Sequence, residues 1–299
     1  MRELKTLTSV FLVLFLIFDI LASNGDSLFV QNVKQFIYSE TNFNVDNSFF
    51  TLRSKSEKPY IALYISSSAA VRSPYKSKYI VYGINEELAE STALKHQLLG
   101  HHTFLYKTYA TAAAELNDRF TSYTKEAKCF IMLHEFFHHY KEKLNLAIPY
   151  EFEEAIGDVI GNYGTIEFIR LYFARDVEPA IVQKNQIEGI YRIINKTSDL
   201  INATSENVRA SNRKCQKRIQ KALKSGDLFQ SDRFNYVVNN AYLLKNRYYS
   251  EKYFLLKKVF IHGGGTVEDF IKILKNAPKN SSDFEMYLKG ILTENSSQS

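Results

Sequence analysis

The stretch Phe130 to Tyr140, FIMLHEFFHHY, constrains this chain more than any other. Phe130, Ile131, Met132, Leu133, Phe136 and Phe137 would surround a helix here on almost every side, so that helix belongs in the core, with other elements packed around it. Into the same turns the chain places His134, Glu135, His138 and His139. Burying ionisable groups is costly unless they are paired or hold an ion. The fold must therefore bring partners to these side chains.

His134 and His138 are four positions apart, one turn on the same helix face, close enough for both imidazoles to point at one metal ion. Glu135 sits one step round from His134, where the H-E-x-x-H pattern places a carboxylate that can act as a general base. The competing explanation for so short a pattern is a set of satisfied polar groups on a core helix. A hydrolytic zinc needs three protein ligands and one open position, so two histidines call for a third donor further along. Glu154 is the candidate, in the helical-looking run Glu154 to Gly161 that follows Pro149. Asp158 lies one turn beyond Glu154, placed to orient His134 by accepting its second N–H. Glu153 faces elsewhere and is expected to be solvated.

EAIGDVIG, residues 154–161, resembles the third-ligand helix of thermolysin-type gluzincins, zinc peptidases whose ligands are His, His and Glu. The resemblance extends to GHHTFLYKTYATAA (100–113), FIMLHEFFHH (130–139), FEEAIGDVIGNYG (152–164), NNAYLLKNRYY (from 239) and GGGTVEDFIKIL (to 274), which follow one another as in a family of bacterial zinc aminopeptidases. It covers most of the chain after about Tyr60. What it implies is an α+β, predominantly helical fold: a gluzincin-type zinc peptidase core with a small β-sheet and an HExxH helix, plus a long helical segment. It further implies a peptide substrate, Zn2+ held by His134, His138 and Glu154, and Glu135 as general base. Tyr249 is the favoured oxyanion donor, because related zinc peptidases use a phenol there; Asn239 and Asn240 are alternatives that could hold backbone or substrate amides. In gluzincins an exposed strand beside the zinc helix pairs with extended peptide, and the sequence leaves open which strand that is.

Two other functional classes compete. A non-catalytic exported module could keep the peptidase fold and bind zinc structurally, which needs a closed fourth ligand, and His139 is the only nearby candidate. A deformylase-like amide hydrolase would use an upstream cysteine ligand, and Cys129 lies on the histidine helix itself.

A chain of 299 residues, 45% hydrophobic and 14% aromatic, can bury a sizeable core. The formal charge of +6 is a mild basic bias that does not argue for nucleic acid. Leu7 to Ala22 are nearly all apolar behind Arg2 and Lys5, and Ala22-Ser23-Asn24-Gly25 offers small residues for cleavage. Residues 1–23 thus read as an export signal ahead of one metallopeptidase domain, 24–299, in a periplasmic or extracellular protein. An uncleaved N-terminal anchor, associating the protein with a membrane, is the alternative, although Asp19 would be costly within a span. Cys129 and Cys215 are the only thiols, and a disulfide between them is not the default expectation.

Phe29, Val33, Phe36 and Ile37 recur at helical spacing; Tyr60 to Ile65, Tyr79 to Tyr82 and Thr103 to Tyr109 read as strands, with a helix from an Asn85 cap to about Leu99 between the last two. Thr124 is a plausible cap for the histidine helix. Residues 178–226 read as a long helix or helical hairpin, with Arg209, Arg213, Lys214, Lys217, Arg218, Lys221 and Lys224 on one charged, solvated face. Three further helices are expected over about 233–261, 267–275 and 283–292, the glycines 263–265 being a turn between the first two. His101, His102 and His262 are expected in structural roles, and His139 at a polar edge.

Overall fold

The computed structural model describes residues 27–45, 51–52, 60–74, 79–108, 115–116, 120, 122–173, 176–204, 207–224 and 236–294; residues 1–23, read as an export signal or anchor, lie outside them. The described chain is mostly helical with a small three-stranded antiparallel sheet, an α+β arrangement. Helix α1 (27–41) buries Phe29, Val33, Phe36 and Ile37, the residues whose spacing predicts it.

The sheet has the order β3-β2-β4, with β2 (Tyr60–Ser66) central, β3 (Tyr79–Gly83) on one side and β4 (His102–Thr108) on the other. In this register Leu63 faces Leu105 and Tyr64 faces Phe104. Because successive side chains alternate across a strand, Leu63, Ile65 and Leu105 pack beneath Ala93 of α2 (Glu86–Leu98). Tyr64 and Phe104 turn the other way, onto Tyr248 and Tyr242 of α7 (Asn240–Ser250). Asn85 caps α2 by accepting from the Leu88 amide, and Gly100 closes it at φ 80°. A two-residue parallel pair joins β1 (Thr51–Leu52) to β5 (Glu115–Leu116).

Helix α3 (Lys125–Lys143), capped by Thr124, is the apolar histidine helix; Phe136, Phe137 and Tyr140 are fully buried. It packs along α4 (Tyr150–Phe173), and three glycines permit the close approach. A Cβ on Gly161 would fall 2.8 Å from Phe130 Cδ2, one on Gly164 2.8 Å from Leu133 Cδ1, and one on Gly157 2.9 Å from both Nδ1 and Cε1 of His134. Their spacing of four and three residues keeps all three on one face of α4. Without that small-residue stripe the histidine could not lie flat against the helix that carries its partners.

The segment expected as a long helix or hairpin is a hairpin: α5 (Glu178–Thr204) and α6 (Val208–Lys224). Asn207, at φ 52°, precedes α6, and Gln186 near the start of α5 donates to the Ala222 carbonyl near the end of α6, so the two run antiparallel. The helix expected over 233–261 is instead two, α7 and α8 (Tyr253–His262), and residues 233–235 lie outside the described chain. Asn195 of α5 donates to the Ser250 carbonyl, an acceptor that a continuing helix would use, and accepts from the Ser250 hydroxyl. Thr266 caps α9 (Val267–Lys275) after the Gly263-Gly264-Gly265 turn, and α10 (Ser281–Glu294) follows. Cys129 and Cys215 are both buried and free.

Candidate metal centre

Helices α3 and α4 bring His134, His138 and Glu154 to one point. His134 Nε2 lies 3.2 Å from His138 Nε2 and 3.4 Å from Glu154 Oε2, and His138 Nε2 lies 3.8 Å from Glu154 Oε1. Zinc held tetrahedrally at about 2.0–2.1 Å from each donor would separate neighbouring donors by about 3.3 Å. The two imidazole nitrogens stand at that spacing, and one ligand atom from each of the three residues lies within 4.8 Å of the others, a group compact enough to share one ion.

Asp158 sets the direction of the first imidazole. Its Oδ1 lies 2.8 Å from His134 Nδ1, and Tyr191 of α5 donates its hydroxyl to Oδ2. The hydrogen of a neutral His134 is thereby assigned to Nδ1, leaving the Nε2 lone pair aimed at the cluster. Asp158 is fully buried, so its charge depends on these partners. Asp158→Ala is expected to weaken zinc affinity by about ten- to a hundredfold without abolishing binding. Competition against a chelator of known affinity measures it, and a wild-type affinity would remove Asp158 from the site.

Electrostatics decide how these groups share protons. Two lone-pair donors 3.4 Å apart repel unless a cation stands between them, and a proton can fill that place. Burial acts to lower the His134 pKa, yet hydrogen bonds to Asp158 and Glu154 outweigh it and hold the imidazole at about 10. Burial would likewise raise Glu154, but His134, His138 and the Tyr249 hydroxyl hold its carboxyl well below the usual range. Burial lowers His138, keeping it the neutral imidazole that a metal requires. A metal ion would displace the His134 proton, so metal affinity must fall as pH falls.

Glu135, with His134, His138 and Glu154, lines a cleft of about 820 Å³. Burial pushes its carboxyl up to about 7; His134 opposes the rise, and Glu154 and Asp158 reinforce it. Tyr60, Tyr64, Tyr79, Val81 and Tyr106 of the sheet line the opposite wall. Tyr249 of α7 completes the cleft, its ring 6.1 Å from that of His134 and inclined by 27°. Lys245, one turn earlier and fully buried, places Nζ 4.5 Å from the Tyr249 ring centre and 4.0 Å from that of Tyr106. A buried ammonium between two aromatic faces fixes both rings.

All six residues named from sequence thus come together: His134, His138 and Glu154 as a group that could hold a metal ion, with Asp158, Glu135 and Tyr249 around it. Glu153 differs from expectation. It lines the cleft and pairs with Lys141 at 2.5 Å, because residues 153 and 154 flank the line along which α4 meets α3. Asn239 and Asn240 hold backbone rather than facing the cleft: Asn239 accepts from Tyr242 N and donates to Thr103 O, while Asn240 donates to Ser67 O and Ser68 O. His102 accepts from the Asn240 amide, and His139 lies edge-on to Phe43. Sequence reasoning missed Tyr191, Lys141, Lys245 and Gly157. Tyr191 reaches Asp158 from a helix 33 positions away, which no local pattern marks. Comparison with protein-family models, with characterised proteins and with solved structures finds no match.

Proposed function

We propose that this protein is a zinc-dependent peptidase with a gluzincin-type core, hydrolysing peptide bonds in the cleft above His134, His138 and Glu154. The observation that carries the reading is the convergence of these three donors, one ligand atom from each within 4.8 Å of the others, with a carboxylate, Glu135, next to them at the edge of an open cleft. A zinc ion held there would supply a Lewis acid that polarises the scissile carbonyl and makes water a nucleophile at neutral pH. Glu135 takes the proton from the attacking water and returns it to the leaving amine, work for which a carboxyl near 7 is suited. The Tyr249 hydroxyl, beside the Glu154 carboxylate, is placed to donate to the oxyanion as it forms. Asp158 and Tyr191 keep the His134 imidazole in the orientation and tautomer that binding needs.

The substrate reading follows from the wall opposite the ligands. Among the described strands β3 has β2 as its one neighbour, its Tyr79 and Val81 line the cleft, and Val81 is 62% exposed. An extended peptide laid along β3 would gain main-chain hydrogen bonds and bring a carbonyl over the ligand cluster. An aminopeptidase assignment further requires a group that holds the free α-amine; Glu142 and Glu153, both lining the cleft, are the carboxylates available besides Glu135 and Glu154. The deciding experiment incubates zinc-loaded protein with a peptide library in free and N-terminally blocked forms. Cleavage that stops on adding a chelator supports the peptidase, and cleavage of free N-termini alone specifies the aminopeptidase. Export, with a signal or anchor in residues 1–23, belongs to the same proposal.

A further inference from the structure

Helix α6 divides cleanly in two. Asn212, Cys215 and Ile219 are buried against the body of the protein, whereas Arg209, Arg213, Lys214, Lys217, Arg218 and Lys221 are all exposed on the outward side. No acidic or aromatic residue occurs anywhere in α6, and none of these six cations pairs with a carboxylate among the described residues. Such a helix presents uncompensated positive charge across its whole outer face.

A second observation lies beside it. Gln216 of α6 donates to Tyr236 O and accepts from Val238 N, and Val237 between them is 81% exposed. Asn239 then donates to Thr103 O, and Gln97 near the end of α2 donates to Thr103 Oγ1. This chain of contacts ties the end of α2 to α6 through residues 236–239 and Thr103, and at that end of α2 Leu98 is 81% and Leu99 63% exposed. Val237 thus projects into solvent at the margin of the basic helix, and Leu98 and Leu99 do so on a segment that these contacts tie to it.

We infer that this surface docks on an anionic lipid membrane, with the α6 cations meeting headgroup phosphates and Leu98, Leu99 and Val237 entering the headgroup layer. Charge complementarity selects an anionic partner, and the aliphatic margin selects a lipid interface over a polynucleotide. Nucleic acid would further call for aromatic rings on which bases stack, and α6 has none. None of these residues lines the cleft, and the inference does not depend on the peptidase reading.

The test is co-sedimentation of the full-length protein with vesicles of phosphatidylcholine alone and of phosphatidylcholine mixed with phosphatidylglycerol. Binding should be stronger on the anionic vesicles and weaken at high salt. Arg213→Glu with Lys217→Glu should lower the affinity for anionic vesicles by about a hundredfold. Leu98→Ser with Leu99→Ser should lower it by about tenfold. All four positions are exposed, circular dichroism checks that both variants fold, and the N-terminal apolar segment is common to every protein compared. Equal binding to neutral and anionic vesicles, unchanged binding by both folded variants, or tighter binding to single-stranded RNA than to anionic vesicles would each overturn the inference.

Discussion

Purified protein reconstituted with zinc should carry about one ion per chain, and His134→Ala or Glu154→Ala should lose it. Each variant removes one of three residues whose ligand atoms lie within 4.8 Å of one another, leaving two ligands for an ion that needs at least three from the protein. Metal analysis after gel filtration reads the result directly, and undiminished zinc in both variants would dismiss the ligand assignment. Stability gives a second measure, because an ion that binds only the folded chain stabilises it by about 4 kcal/mol when free zinc is a thousand times the dissociation constant. The midpoint of thermal unfolding should therefore rise with zinc in the wild type and stay put in the two variants. Gly157→Ala probes the packing beneath the site: its new methyl would stand 2.9 Å from the His134 ring, so the ring must shift and zinc should be held more weakly although no ligand has changed. Acidification acts in the same direction, since the proton that Asp158 and Glu154 stabilise on His134 competes with the ion.

Glu135→Gln should separate metal binding from chemistry. The amide preserves shape and hydrogen-bonding capacity, and because burial already favours the neutral carboxyl, replacing it costs the fold little. Zinc content should match the wild type. Peptide cleavage should nevertheless fall by about 10² to 10⁴, the usual contribution of a positioned general base. Zinc-replete Glu135→Gln that cleaves as fast as wild type would refute the assigned role. A wild type that holds zinc yet cleaves nothing in a broad peptide library would point instead to a module that binds zinc without catalysis. The two outcomes are distinguishable because each pairs a metal measurement with an activity measurement on the same preparation.

Much of this arrangement is legible in local sequence because the relevant geometry is local. His134 and His138 share a helix face by their spacing alone, Glu154 and Asp158 do the same, and the apolar run from Phe130 to Phe137 places the first helix in the core. The caps at Asn85 and Thr124 and the turn at Gly263 to Gly265 are likewise written in a few consecutive residues. For residues 178–226 the sequence allowed either one long helix or a hairpin, and the break between Ser250 and Tyr253 was not legible at all. That break depends on Asn195, a side chain 55 residues away that takes the Ser250 carbonyl.

The sequence by itself determined which side chains share a helix face and that the histidine helix is buried, since helical period and hydrophobic burial act over a few turns. Tertiary structure alone decided that the two faces meet. Gly157, Gly161 and Gly164 allow α4 to approach α3 until His134 touches Asp158, and Tyr191 arrives from a third helix to satisfy the remaining carboxylate oxygen. It also decided which wall closes the cleft, because the alternation along β2, β3 and β4 becomes a tyrosine-lined face only once the sheet packs on α7. Interactions between helices depend on side-chain shape at distances in sequence that no period records, and the distance between the two halves of the site is set there.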